Sequence, residues 1–183
     1  MAIDRPRPAS TGRLTIREWV DGDADAFAEM NADPKVMATN GPVMSRDDAD
    51  AMLARVRRHF DEHGFGLWCV DLGGEPLGFC GLSMPWFRDG VEIGWRLRSG
   101  WWGNGYATEA ARSVLAFAFD VLDLPEVISF TAEINERSQR VMERIGLVRD
   151  ADGDFDHPAI APDHPLCPHV LYRVSSAQYR ALA

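Results

Sequence analysis

Two apolar runs joined by a pair of glycines set the first limit on the fold. The stretch "FGLWCVDLGGEPLGFCGL" spans residues 65–82, with Gly73–Gly74 at its middle. Both flanks are rich in strand-forming residues, and so short a link joins only antiparallel strands. Glycine adopts positive backbone angles at little cost, so the stretch reads as a β-hairpin. A further strand, "GVEIGWRL" (Gly90–Leu97), follows, with Trp86 and Phe87 just ahead of it. The sheet therefore starts antiparallel. A doubly wound sheet needs a uniform alternation of strand and helix, which this chain lacks.

The flanking segments complete a mixed α/β domain. "RLTIREW" (Arg13–Trp19) alternates as a first strand, and "DGDADAFAEMNAD" reads as a short helix broken near Pro34. Ser45 opens a longer helix, with Asp47 and Asp48 in its first turn. Ala49, Met52, Leu53, Val56 and Phe60 share one face of it, and Gly64 ends it. A helix is expected from Asn104 to Leu122, a strand at "VISFTA" (Val127–Ala132), and a helix at "ERSQRVMERIG" closed by Gly146. "HVLYRV" (His169–Val174) reads as the last strand, before a helical C-terminus. Residues 1–12 read as a flexible arm without an apolar signal core.

Charge and cysteine usage narrow the setting. The net charge is −9 and the pI about 5.0, which argues against nucleic acid or an anionic membrane as partner. No apolar run approaches the length of a membrane span. Cys69, Cys80 and Cys167 stand far apart, which suggests free thiols in a reducing cytoplasm.

The chemistry concentrates at "SGWWGNGYATEAA" (Ser99–Ala111), between a strand and a helix. The first amides of a helix lack internal partners and carry the positive end of its dipole. Gly103 and Gly105 have no β-carbon, so an anion such as a pyrophosphate can approach the backbone. A tight strand-to-helix turn would use the same glycines. A P-loop is excluded because no lysine follows, and a dinucleotide fingerprint because its third glycine is Thr108. A second segment, "NERSQRVMERIGL", places Asn135 where the next strand ends and Ser138 on the first helical turn. Asn135 and Ser138 either cap that helix or serve a ligand.

Together, "EIGWRLRSGWWGNGYATEAA" and "FTAEINERSQRVMERIGL" resemble the GNAT superfamily of acetyl-CoA-dependent N-acetyltransferases. Within it the chain is most similar to the RimJ/RimL branch, over about Leu14–Val148. One departure is Gly100, where the superfamily loop usually carries Gln or Arg. The resemblance implies one GNAT domain over residues 13–183, with a mostly antiparallel sheet splayed between its fourth and fifth strands and flanked by helices. It implies acetyl-CoA as cosubstrate, no metal, and direct transfer to an amine, which could be a protein N-terminus or a small molecule. A monomer or homodimer is expected. The pantetheine arm would pair with backbone at Trp95, Arg96 and Leu97. Amides of Trp102, Gly103, Asn104, Gly105, Tyr106 and Ala107, with Thr108 beside them, would hold the pyrophosphate. Asn135 would bond the pantetheine arm, and Arg140 would meet the phosphoadenosine end or solvent. Trp101 and Trp102 would shelter the cofactor, flank the acceptor cleft or simply pack. The N–H of Leu97 is the candidate oxyanion donor, Glu92 the candidate base, and Ser138 the candidate acid for the departing thiolate.

Two further readings stand beside this one: an acyl-CoA-binding sensor without turnover, and an unrelated nucleotide-binding enzyme. The tail "DFDHPAIAPDHPLCPHVLYRV" carries His157, His164, His169 and Cys167, which are metal-ligand types at spacings matching no common zinc pattern. It reads as a proline-stiffened loop. Asp154, Asp156, His157 and His169 are candidates for substrate contact.

Overall fold

The computed structural model of the chain describes residues 5–182. Strand β1 (Thr15–Arg17) leads through a single 3-10 turn into helix α1 (Ala24–Ala32) and the short α2 (Pro34–Met37). Pro34 does more than break a helix. It takes the first position of α2, where its missing N–H costs nothing, and Asp33 caps the turn through the Lys35 amide at 2.8 Å. Helix α3 (Arg46–His63) runs between a Ser45–Asp48 capping box and Gly64 at φ 76°.

Strands β2 (Leu67–Leu72) and β3 (Glu75–Ser83) form the expected hairpin, and β4 (Glu92–Leu97) pairs antiparallel with β3. Helix α4 (Tyr106–Ala116) starts two residues later than Asn104, because the Asn104 amide closes the preceding turn on the carbonyls of Trp101 and Trp102. It widens into a π-helical turn at Phe117–Val121, where the Leu122 N–H donates to the Phe117 carbonyl at 3.1 Å. That turn sends Phe117 onto Trp68 and Phe119 onto Tyr179. Strand β5 (Glu126–Ala132) and α5 (Glu136–Arg144) follow. Two-residue strands β6 (Val148–Arg149) and β7 (Phe155–Asp156) then flank β8 (Pro168–Ser175), and α6 (Ser176–Leu182) ends the described chain. Segments as short as β6 and β7 carry no periodic signal in the sequence.

The sheet order is β1-β2-β3-β4-β5-β8-β6, with β7 beside β8. Every pair is antiparallel except β4 with β5, which is parallel and touches at one register pair, Glu92 and Ile128. After that pair the two strands part, as the family resemblance implied. Helix α1 packs on one face, over Phe79. Helices α4 and α5 cover the other, where the Tyr172 hydroxyl reaches toward Gln139 and Glu143. Residues 1–4 of the expected arm lie outside the described residues. Residues 5–12 lie against the domain: Arg5 bonds Glu18 and Asp61, Thr11 bonds Glu109, and the Ser113 hydroxyl donates to the Ala9 carbonyl at 2.5 Å. Among the described residues no helix is long and apolar enough to cross a membrane.

The tightest backbone approach is at Gly81 of β3. A β-carbon there would run into the Gly66 carbonyl oxygen and lie 2.6 Å from the Leu67 Cα. Both obstacles are main chain of the paired strand, so no rotamer change relieves them. Gly81→Ala is expected to cost about 1–3 kcal/mol, as overpacking does. A urea midpoint unchanged from wild type would contradict this packing.

Candidate active site

The parting of β4 from β5 exposes one edge of backbone. In an antiparallel ladder successive residues point alternately toward and away from the partner strand. The Arg98 N–H donates to the Leu77 carbonyl at 2.8 Å, so Arg98, Arg96, Gly94 and Glu92 direct their backbone groups at β3. Val91, Ile93, Trp95 and Leu97 direct theirs at β5. Two contacts bear this out: the Ile128 N–H donates to the Val91 carbonyl at 3.0 Å, and the Ser129 hydroxyl donates to the Ile93 carbonyl at 2.8 Å. Trp95 and Leu97 therefore face the gap with their main chain. The Leu97 carbonyl is taken by the Trp102 indole N–H at 2.8 Å, while its N–H still points into the gap. Arg96, expected to share this pairing, turns its backbone to β3 and contributes its side chain instead.

The glycine turn sits at the end of that edge. Gly103 and Gly105 hold φ of 83° and 80°, which residues with a β-carbon rarely adopt. Gly105 precedes α4 with no side-chain cap, so the amides of Tyr106, Ala107 and Thr108 lack intrahelical partners. Trp102 corrects the sequence expectation. Its amide already donates to the Ser99 carbonyl at 3.3 Å in a 3-10 turn, so it is not free for an anion. Its ring instead carries the Arg137 guanidinium, 4.4 Å from the centroid.

Helix α5 closes the opposite wall. Asn135 is buried and caps α5, accepting from the Ser138 N–H at 3.3 Å and donating to the Thr131 and Ser138 hydroxyls at 2.9 and 3.1 Å. The Ser138 hydroxyl accepts this bond and keeps its own proton. A cavity of about 310 Å³ lies among these elements. Of the expected residues, Trp95, Arg96, Leu97, Trp102, Gly103, Gly105, Tyr106, Ala107, Thr108, Asn135, Ser138 and Arg140 border it, and Asn104 does not. Sequence reasoning missed Val36, Thr39, Asn40, Val141 and Arg144, which also line it. The i, i+3, i+7 spacing of Arg137, Arg140 and Arg144 on α5 is the signal that would have found the basic wall.

Glu92 stands outside this lining, at the start of β4 on the α1 face of the sheet. It is half-buried and accepts a hydrogen bond from Ser83 at 3.2 Å. Burial pushes its carboxyl up to about 7, against a weaker downward pull from the Ser83 hydroxyl. The histidine tail shares this face, because Glu92 pairs with Ile128 and Phe130 lies two residues on. Phe87, Phe130, Phe155, His157 and His169 stack there, the two imidazoles 4.9 Å apart. Burial lowers the pKa of both histidines. Asp154 is a strut: it accepts from the Leu171 N–H at 2.9 Å and pairs with Arg149, away from the cavity. Asp156 is exposed, and neither it nor the two histidines border the cavity. His164 accepts from the Leu166 N–H at 3.1 Å within the loop.

The chain is similar in sequence and fold to known proteins. The sequence pattern of the acetyltransferase (GNAT) domain matches residues 13–148. The chain belongs to this family and is an acetyl-CoA-dependent acetyltransferase. It is 30% identical over 144 residues to the uncharacterized N-acetyltransferase YnaD of Bacillus subtilis, covering 77% of this chain and 82% of that one. A shorter stretch of 91 residues is 37% identical to the putative ribosomal N-acetyltransferase YdaF of B. subtilis, covering 44% and 50%. The crystal structure of an acetyltransferase from Agrobacterium tumefaciens superposes with a TM-score of 0.75 at 28% identity, covering 95% of each chain.

The elevated Glu92 pKa has a consequence that needs no substrate. The unfolded chain ionises this carboxyl near 4.5, whereas the folded protein holds its proton to about 7. Between those values the folded state binds more protons, so this contribution to stability falls as pH rises and levels off above about 7. The stability difference between wild type and Glu92→Gln is expected to trace that window in urea titrations at stepped pH. A difference that stays flat would mean Glu92 titrates normally.

Proposed function

We propose that this enzyme transfers an acetyl group directly from the thioester of acetyl-CoA to a primary amine seated on the Glu92 face of the sheet. The observation that carries the reading is the free edge of β4. Trp95 and Leu97 offer main-chain groups to an extended amide-bearing arm, and the residues whose unpartnered amides open α4 border the same cavity. The pantetheine arm would lie along this edge, with Asn135 and Ser138 across from it. The pyrophosphate would sit on Gly103, Gly105, Tyr106, Ala107 and Thr108, and the phosphoadenosine end against Arg140 and its neighbours.

In the reaction the amine lone pair attacks the carbonyl carbon and the C–S bond breaks. The Leu97 N–H would stabilise the oxyanion between these events. Glu92 would take the amine proton through water, and Ser138 would give a proton to the leaving thiolate. A carboxyl titrating near 7 suits a base at neutral pH. The acceptor is an amine of a protein N-terminus or a small molecule. The RimJ/RimL resemblance and the match to YdaF support ribosomal-protein N-termini. Three buried free cysteines accord with a reducing, cytoplasmic setting.

Calorimetric titration is expected to show binding of acetyl-CoA and CoA but not of ATP or NAD. No binding of either CoA species by folded protein would reject the reading. Turnover followed by thiol release is expected to rise with pH up to about 7 and then level. Glu92→Gln should remove that limb and slow turnover by roughly 10²–10⁴-fold. An unchanged pH profile in the variant would remove Glu92 as the base.

A further inference from the structure

Among the described residues four arginines border the cavity, and no aspartate or glutamate does. Arg137, Arg140 and Arg144 stand on α5, beside the glycine turn that would take the donor's phosphates. Arg96 stands apart from them. Its side chain leaves β4 on the other face of the sheet, the face of Glu92 and Gly94, and borders the cavity with Val36, Thr39 and Asn40. The gap between β4 and β5 separates the two basic ends.

Arg96 has almost no partners for its charge. One nitrogen donates to the Asn31 side-chain oxygen, and the guanidinium carbon lies 5.5 Å from the Phe79 ring centroid. Its Nε is buried without a hydrogen-bond partner, and among the described residues no carboxylate pairs with it. Burial lowers its pKa to about 10, which still leaves it charged at neutral pH. A half-buried cation whose Nε is shut off from water and which has no counter-charge is costly to hold. The floor between it and Glu92 is open: a β-carbon on Gly94 would meet only the Glu92 carboxylate, at 3.8 Å.

We propose that Arg96 anchors an anionic group of the acceptor, so that the preferred amine is a small molecule also bearing a carboxylate or a phosphate. A guanidinium presents two parallel N–H donors that match either anion. The inference rests on the acyl-transfer reading and narrows its acceptor. An unmodified polypeptide N-terminus carries no anion beside its amine, so the inference selects against it.

The test is an acceptor panel with acetyl-CoA as donor. α-Amino acids are each paired with the amine lacking the carboxylate, O-phosphoethanolamine with ethanolamine, and neutral N-terminal peptides are included. The anionic member of a pair is expected to show a kcat/KM roughly 10- to 100-fold higher. Whether amino acids or the phosphoamine responds identifies the anion. Arg96→Gln should erase the preference and Arg96→Lys keep part of it, both with acetyl-CoA affinity retained in calorimetry. Equal rates within the pairs of the wild type, or faster peptides, would overturn the inference without recourse to a variant. A preference surviving in folded Arg96→Gln would also overturn it, as would loss of acetyl-CoA binding in that variant, which would assign Arg96 to the donor. Failure of the wild type to bind acetyl-CoA would instead reject the acyl-transfer reading on which the inference rests.

Discussion

A buried strand edge without a neighbour is a liability, because unpaired N–H and C=O groups away from water cost free energy. The divergence of β4 from β5 after the Glu92–Ile128 pair creates such an edge, and much of the local sequence answers to it. The Ser129 hydroxyl takes the Ile93 carbonyl at one end of the gap, and the Trp102 indole takes the Leu97 carbonyl at the other. What stays open between them is the backbone of Trp95 and the N–H of Leu97. One of the two tryptophans thus has a role that packing alone would not assign. It terminates the gap, and it places Arg137 over its ring.

Electrostatics at the site runs against the protein's overall charge. The chain carries a net charge of −9, yet among the described residues the charged groups bordering the cavity are all arginines. Screening over about 8–10 Å makes local charges outweigh distant ones. The open N-terminus of α4 adds positive potential at the same place. Anions are therefore attracted at short range, while the acidic remainder disfavours indiscriminate binding to nucleic acid.

The sequence expressed the fold wherever one period ran for several residues. The β2–β3 hairpin, the Ser45-capped α3, β5 and α5 all stand within a few residues of their expected places. It was silent where partners lie far along the chain. The attachment of residues 5–12 depends on Glu18, Asp61, Glu109 and Ser113, and no local pattern announces such contacts. The glycine turn was legible because positive φ needs glycine. The use of the Trp102 amide inside a 3-10 turn was not, since any residue can supply that N–H. Val36, Thr39 and Asn40 reach the cavity only through the packing of α2, which the sequence showed merely as a break near Pro34.

Burial acts on two ionisable groups of one strand face with different results. It moves the Glu92 proton equilibrium to about 7, so that the group can be neutral or charged in the physiological range. It lowers Arg96 only to about 10, so that group stays charged and keeps its need for a counter-ion. The obvious resolution would be an ion pair between them, which would hold Glu92 ionised and satisfy Arg96. Four residue steps of extended strand, roughly 13 Å between their Cα atoms, separate the two. Gly94 between them leaves that distance unfilled. The separation preserves a carboxyl able to accept a proton and a guanidinium able to accept an anion, with open space between them for a molecule that brings both.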